Sequence, residues 1–270
     1  MRYLRITAIS LLVLYAAVAA YASYGPLNGF PAIHGSSIPW ITLIATALVI
    51  THALTHIGWR NTFILFALTY TVTMVFESIG VATGWIYGPY HYSELLGPRF
   101  LGLVPYLIPL AWFMISYPSL VIAEGILETR SAEDQWRSLR VAALAAVIMT
   151  SWDLVLDPIM VKMGYWVWEA GGEYFGVPAY NFLGWLVTTF SIFILYQCVA
   201  GRQAQKVHNG SDQSFLMLAS GSHGSTVAGN ILAALQMGLI GPAFIGLLGA
   251  GAFALLSLIN LNTGQRPVKD

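Results

Sequence analysis

Residues 139–158 read LRVAALAAVIMTSWDLVLDP, an apolar run that carries two carboxylates, Asp153 and Asp157, near its end. A second apolar run, TFILFALTYTVTMVFESIGVA over residues 62–82, carries Glu77. Each run is long enough to cross a bilayer as a helix, which takes about 20 residues. Ionisable groups at that depth are costly and usually face an internal site. These three acids therefore mark the first place to look for function.

The composition places the whole chain in a membrane. Hydrophobic residues make up 57% of the chain and charged residues only 9%, whereas soluble domains are roughly 45–50% apolar. Lys and Arg total 12 and Asp and Glu total 12, so no strongly charged surface points to nucleic acid. The lone Cys198 excludes a disulfide framework. We predict an all-α, polytopic helix bundle that forms a single integral membrane domain over residues 1–270.

Eight apolar runs predict about eight transmembrane helices. They cover residues 4–21, 38–56, 62–82, 103–123, 139–156, 182–200, 215–240 and 243–261. The seventh run is rich in Gly, Ser, Thr and Ala, which predicts a closely packed interior helix. The first run also resembles a secretory signal. We interpret it as an uncleaved span, because seven more spans follow.

Basic residues predict the orientation in the cell membrane. Only Arg99 and Lys162 fall on one side, and ten fall on the other: Arg2, Arg5, Arg60, Arg130, Arg137, Arg140, Arg202, Lys206, Arg266 and Lys269. This asymmetry predicts that both termini are cytoplasmic. The loops over residues 84–101 and 158–181, and the helix ends that carry the three acids, then lie toward the outer leaflet.

Asp153 and Asp157 are four residues apart, which puts them on one helical face about 6 Å apart along the axis. Two acids this close do not both ionise cheaply, so one is expected to keep its proton. Each acid also has a purely structural interpretation. Asp157 can cap a short helix that starts at Pro158, Asp153 can pair with Lys162 or a tryptophan, and Glu77 can be a polar contact between helices.

An internal repeat relates Glu77 to Asp157. The two stretches share an acid, a Gly-aromatic pair, an aromatic loop, a Val-Pro pair and a tryptophan: Glu77, Gly84-Trp85, Val104-Pro105 and Trp112 in one, and Asp157, Gly164-Tyr165, Val177-Pro178 and Trp185 in the other. We predict parallel repeats over about residues 61–123 and 139–200, related by an axis along the membrane normal. Glu77 and Asp157 would then face each other across a cleft.

The two outer loops are unusually aromatic, with WIYGPYHY at residues 85–92 and YWVWE at residues 165–169. Such rings can form an interfacial belt. They can also line a slot for a long apolar molecule and shield a developing cation, and both interpretations can hold together. The residues expected to line the slot are Trp85, Tyr87, Tyr90, His91, Trp166, Trp168, Tyr180 and Asn181.

His52 and His56 have a spacing that can bind a metal from one helical face. The alternative is helix packing or a polar contact near the inner face. The chain has six histidines and no second paired cluster, so it cannot assemble the many-histidine diiron site of membrane desaturases. We expect no metal and no cofactor.

Three segments carry a family resemblance: FE at 76–77 with GWIYGPYHY at 84–92, LVPYLIPLAW at 103–112, and SWDLVLDP at 151–158. From the second span to its end, the chain resembles the membrane-embedded carotenoid biosynthesis family that contains the CruF-type carotenoid hydratases and the bisanhydrobacterioruberin hydratases. The resemblance implies that water is added across the terminal double bond of an acyclic carotenoid, leaving a tertiary alcohol. The implied partners are this long apolar substrate, water, the lipid bilayer and other membrane enzymes of carotenoid synthesis.

The three acids suit this chemistry. Hydration of an isolated alkene needs an acid to protonate the less substituted carbon, stabilisation of the tertiary cation, and a group that holds and deprotonates the attacking water. We expect Asp157 or Glu77 to donate the proton, and Asp153 with the remaining acid to hold the water.

Two other functions compete with hydration. An intramembrane prenyltransferase would use Asp153 and Asp157 to hold magnesium diphosphate, but it needs a second acidic motif and basic residues facing the cytoplasm. A transporter or carotenoid-binding scaffold would use the acids as a proton relay. Neither a broken pair of apolar helices nor a polar cage for a substrate is evident in the sequence.

Overall fold

The fold is a bundle of helices in a computed structural model that describes residues 2–24, 37–127, 136–208 and 213–263. The helices are α1 (Arg2–Tyr24), α2 (Ser37–His56), α3 (Gly58–Thr83), α4 (Leu107–Leu127), α5 (Arg137–Lys162), α6 (Ala179–His208), α7 (Gln213–Gln236), α8 (Ile240–Gly246) and α9 (Ala252–Thr263). A π-helical turn, Leu247–Gly251, joins the last two into one span.

Seven spans within the described residues are long and apolar enough to cross a membrane. They are α1 to α6 and the joined pair of α8 and α9, and α7 is not among them. Small polar residues lower the hydropathy of α7, as its sequence SFLMLASGSHGSTVAG illustrates. The prediction of an all-α, polytopic membrane bundle is confirmed.

α4 occupies the centre of the bundle. Four helices form a ring in which α3 packs on α4, α4 on α5, α5 on α6, and α6 on α3. On its other side α4 contacts α2, α7 and α9, so most of its surface is buried. The apolar character of α4 all round its circumference follows from this position, because a helix surrounded by other helices has no polar face.

α5 continues through Pro158 to Lys162. A proline inside a helix has no N–H, so the carbonyl four residues earlier loses its usual partner. Here that carbonyl belongs to Leu154, and the hydroxyl of Tyr174 donates a hydrogen bond to it over 2.9 Å. The interpretation of Asp157 as the cap of a short helix is therefore wrong, because Asp157 lies inside a long one.

Two short antiparallel strand pairs cover one end of the ring. Strand β1 (Tyr90–Tyr92) pairs with β4 (Trp166–Trp168), and β2 (Arg99–Phe100) pairs with β3 (Val104–Pro105). Side chains of a strand alternate between its faces, so Tyr90 and Tyr92 are buried while His91 between them is exposed. The aromatic loops of the sequence are thus partly a strand pair that joins the chain after α3 to the chain after α5.

Several features agree with the internal repeat. Gly84 ends α3 and Gly164 follows α5, with left-handed φ angles of 72° and 71°. Trp112 of α4 and Trp185 of α6 stack on each other, with ring centroids 4.0 Å apart. The helix pairs α3–α4 and α5–α6 each pack together. These matches support the repeat, whose boundaries at residues 61–123 and 139–200 stay a prediction.

The two basic residues predicted on the outer side both lie near the strand pairs. Arg99 is in β2, where its guanidinium donates to Glu94 over 2.7 Å, and Lys162 is the last residue of α5. Arg130, Arg266 and Lys269, which contribute to the opposite side, lie outside the described residues. The membrane orientation and the cytoplasmic termini stay predictions.

The register of β1 against β4 can be tested by cross-linking. His91 lies directly opposite Val167, and opposed residues in an antiparallel pair have Cα atoms about 4.5–5.5 Å apart, within disulfide range. In a Cys198→Ser background, we expect His91→Cys with Val167→Cys to form a disulfide on mild oxidation, detected by mass spectrometry. Val167→Cys paired with Leu101→Cys, in the loop between β2 and β3, serves as the control. Failure of the first pair to cross-link in folded protein would contradict this register.

Candidate functional site

Glu77 and Asp157 line one small cavity beneath the β1–β4 strand pair. Its volume is about 40 Å³, which is enough to hold water. Glu77 comes from α3, Asp157 from α5 and Asn181 from α6. We call this cavity the acid pocket; its walls are Glu77, Tyr87, Tyr90, Tyr92, Ile108, Ala111, Trp112, Trp152, Leu156, Asp157, Trp166, Trp168, Asn181 and Trp185.

Two tyrosines of β1 hold the Glu77 carboxyl. The hydroxyl of Tyr92 donates to Glu77 Oε2 over 2.7 Å, and the hydroxyl of Tyr90 donates to the same oxygen. Burial, together with the nearby Glu77 charge, raises the pKa of both tyrosines well above its ordinary value. Both therefore keep their protons at neutral pH and stay hydrogen-bond donors to this carboxyl.

Asp157 is held from α6. Asn181 donates its amide N–H to Asp157 Oδ2 over 2.6 Å, and both residues are almost fully buried. Asp153 lies one turn earlier on the same face of α5 and is fully buried. Its two carboxyl oxygens have no hydrogen-bond partner among the described residues.

The structure does not pair Asp153 with Lys162. The Lys162 ammonium is exposed and donates to the Met237 carbonyl instead. Asp153 is also absent from the walls of the acid pocket, so it lies behind Asp157. The two carboxyls are close enough to interact electrostatically.

The strand pair closes the acid pocket with stacked rings. Trp168 of β4 stacks on Tyr90 of β1 at 5.3 Å, and its indole N–H donates to the Tyr87 carbonyl over 2.8 Å. Gly88 makes this approach possible, because it has a φ of 95° and an added Cβ would lie 3.1 Å from the Trp168 nitrogen. The Tyr87 ring is anchored by a 2.8 Å hydrogen bond between its hydroxyl and Thr188 of α6.

Five of the eight predicted lining residues line the acid pocket: Tyr87, Tyr90, Trp166, Trp168 and Asn181. The other three do not line the acid pocket. Trp85 is 85% exposed. His91 points away from the pocket and pairs with Glu169 at 3.2 Å on the surface. Tyr180 is exposed and its hydroxyl lies 3.5 Å from the Gly84 carbonyl, outside the pocket.

Tyr92, which binds Glu77, was not among the predicted lining residues, and neither were the wall residues Trp112, Trp152 and Trp185. The alternation of ring and non-ring residues in Tyr90-His91-Tyr92 and Trp166-Val167-Trp168 is the strand signal that could have identified Tyr92. The same alternation explains why His91 faces outward. The tryptophans Trp112 and Trp185 were visible as matching positions of the repeat.

His52 and His56 form part of a packing contact at the other end of α2. The ring nitrogens of His52 lie 2.7 Å from the Tyr117 hydroxyl and 2.7 Å from the Phe215 carbonyl. Both nitrogens are thus occupied, so His52 has none free for a metal. Among the described residues, no three of His, Cys, Asp and Glu are grouped as metal ligands.

A family model described as carotenoid biosynthesis protein matches residues 38–252. The chain belongs to this family. Over 120 residues it is also 37% identical to a bisanhydrobacterioruberin hydratase from Haloarcula japonica. That match covers 44% of this chain and 39% of the relative, so the two proteins are comparable over less than half of either length. No solved structure matches the chain.

Within the family fold, the Trp112–Trp185 stack is expected to hold the acid pocket together. The two rings are buried and lie 4.0 Å apart at an angle of 13°. Trp112→Ala should lower the free energy of unfolding by about 3–5 kcal/mol, the usual cost of truncating a buried aromatic residue. Unfolding in a mixed-detergent titration measures this loss.

The matched control is Trp59→Ala on α3, because Trp59 is 75% exposed. That change should alter the free energy of unfolding by no more than about 0.5 kcal/mol. Equal effects of the two substitutions would show that the stack contributes nothing specific to the fold.

Proposed function

We propose that the protein hydrates the terminal carbon–carbon double bond of an acyclic carotenoid. The observation that carries this proposal is the placement of Glu77 and Asp157, from two different helices, in one pocket walled by aromatic rings. An alkene offers no charge and no hydrogen-bonding group, so a protein grips it by shape and apolar area. Two carboxyls at such a wall supply what the reaction itself needs, an acid and a base.

The hydrogen bonds suggest different roles for the two acids. Glu77 accepts bonds from two tyrosine hydroxyls on one oxygen, and bonds donated to a carboxylate stabilise its ionised form. Asp157 accepts one bond, from Asn181, and has a second acid, Asp153, one turn away. Two neighbouring carboxyls tend to share a proton. We therefore assign the proton to the Asp153–Asp157 pair and the negative charge to Glu77.

The reaction then balances with the protein's own groups. Asp157 gives its proton to the less substituted carbon of the terminal double bond, which leaves a tertiary cation on the neighbouring carbon. A water molecule in the acid pocket attacks that cation and passes a proton to Glu77. Transfer of one proton from Glu77 to the Asp153–Asp157 pair restores the starting state, so the net change is the addition of one water.

Aromatic rings of the strand pair stabilise the cation. Tyr90, Trp166 and Trp168 line the acid pocket beside the two acids. The face of an aromatic ring attracts a cation, by about 0.5–2 kcal/mol or more when water is excluded.

Membership of the carotenoid biosynthesis family supports a carotenoid as the substrate. The name of the relative from Haloarcula japonica, a hydratase, supports hydration as the reaction. The three acids also lie within the residues that the family model matches.

Substitution of the acids tests the proposal. Glu77→Gln and Asp157→Asn should each lower hydration by about 10²–10⁴-fold, the usual contribution of a general acid or base. The protein is expressed in a host that accumulates an acyclic carotenoid, and pigment masses show how many waters have been added. Glu94→Gln, which changes an exposed surface acid, is the matched control and should leave hydration intact.

Other pigment profiles would contradict the proposal. Carotenoids lengthened by prenyl units would indicate a transferase. Unchanged pigments, with the wild-type protein folded in the membrane, would indicate a carrier or scaffold. Near-normal hydration by both Glu77→Gln and Asp157→Asn would remove the two acids from the mechanism.

A further inference from the structure

A second, larger cavity adjoins the acid pocket. Its volume is about 220 Å³, more than five times that of the acid pocket. Five residues line both cavities: Ile108, Ala111, Trp152, Leu156 and Trp166. Four of them belong to α4 and α5 and one to β4, so the gap between α4 and α5 is where the two cavities meet.

The far wall of the larger cavity is built by helices outside the ring. α1 contributes Tyr15, α2 contributes Thr42, and α7 contributes Thr226 and Gly229. The hydroxyls of Tyr15 and Thr226 lie 2.6 Å apart and bond to each other, while the side-chain amide nitrogen of Asn230 on the same wall has no hydrogen-bond partner among the described residues. Thus the cavity lies between α4 and α5 on one side and α1, α2 and α7 on the other.

The lining of the larger cavity fits a hydrocarbon and does not fit an ion or a charged headgroup. No Asp, Glu, Lys, Arg or His is among its described lining residues. Four methionines line it, Met114, Met160, Met163 and Met237. Methionine side chains are flexible and polarisable, so they adapt to an elongated apolar ligand.

The two cavities differ enough in volume to hold different parts of the substrate. The acid pocket is the smaller of the two, at about 40 Å³ against about 220 Å³, so the hydrocarbon chain of a substrate fits better in the larger cavity. The larger cavity falls below the roughly 300–1,000 Å³ of pockets that enclose a whole drug-sized ligand. It can therefore hold one end of a long chain, while the rest of the chain stays in the lipid.

Building on the function proposed above, we infer that this larger cavity is the binding channel for the hydrocarbon chain of the substrate. The chain lies between α1, α2, α7 and the ring, and its terminal double bond reaches the acid pocket through the gap at Ala111 and Trp152. Water occupies the acid pocket and meets the alkene at the shared wall. The channel takes one acyclic end of the polyene per binding event.

Gly229 offers a way to fill this channel without touching the acids. It lies on α7 and lines the larger cavity only, and a Cβ added there would meet no atom within 4 Å. Gly221 is the matched control, because it is on the same helix, is equally open, and lines neither cavity. Gly229→Phe and Gly221→Phe therefore differ mainly in whether the new ring enters the channel.

The expected result concerns both activity and binding. Gly229→Phe should lower hydration of a long acyclic polyene by about tenfold or more, the effect of losing about 1.4 kcal/mol of binding. It should spare a short acyclic terpenoid with the same terminal double bond, and Gly221→Phe should spare both substrates. Wild-type hydration of the long polyene by Gly229→Phe would overturn the inference.

A binding measurement separates this inference from the proposed function. In a Glu77→Gln background, the amount of acyclic carotenoid that purifies with the protein is read from its absorbance. Adding Gly229→Phe should lower the bound pigment by about tenfold or more, and adding Gly221→Phe should not. If Gly229→Phe lowers the bound pigment and Gly221→Phe does not, but the wild-type protein hydrates nothing, the channel inference stands and the hydratase proposal fails. Equal pigment binding in the two double variants would rule out the channel.

Discussion

Two carboxyl groups from separate helices have to be kept in one pocket inside an apolar bundle, and the rest of the site depends on how this is done. A polar group buried away from water costs free energy unless it is bonded to another group of the protein. Glu77 is bonded by Tyr90 and Tyr92, and Asp157 by Asn181. The tyrosines reach Glu77 because β1 pairs with β4. The strand pair is therefore both the cover of the pocket and the source of its hydrogen-bond donors.

Packing around α4 forms walls of both the acid pocket and the larger cavity beside it. The stacked Trp112 and Trp185 fix α4 against α6 across the ring. Ile108 and Ala111 of α4 line both the acid pocket and the larger cavity. α4 therefore forms part of the wall of both cavities.

The sequence predicted the features that depend on long stretches and missed those that depend on short ones. Apolar runs of about 20 residues predicted the membrane-spanning helices, because a helix of that length crosses the bilayer with its backbone hydrogen bonds satisfied. The acids inside those runs led to the pocket, since an ionisable group at that depth has few other positions. The strands β1 and β4 have three residues each, too few for a periodic signal, so Trp85 and His91 were placed inside and Tyr92 was missed. The larger cavity was not predictable, because it depends on how α1 and α7 pack against α4 and α5.

The proposed hydration requires that a carboxyl group protonates a double bond and that water captures the resulting cation. Isotope labelling tests it most directly. Purified protein is supplied with an acyclic carotenoid in water enriched in oxygen-18 and, separately, in deuterium oxide, and the product is analysed by mass spectrometry. We expect a tertiary alcohol whose oxygen comes from water and whose neighbouring carbon carries one hydrogen from the solvent. An alcohol whose oxygen comes from molecular oxygen would contradict the proposed hydration.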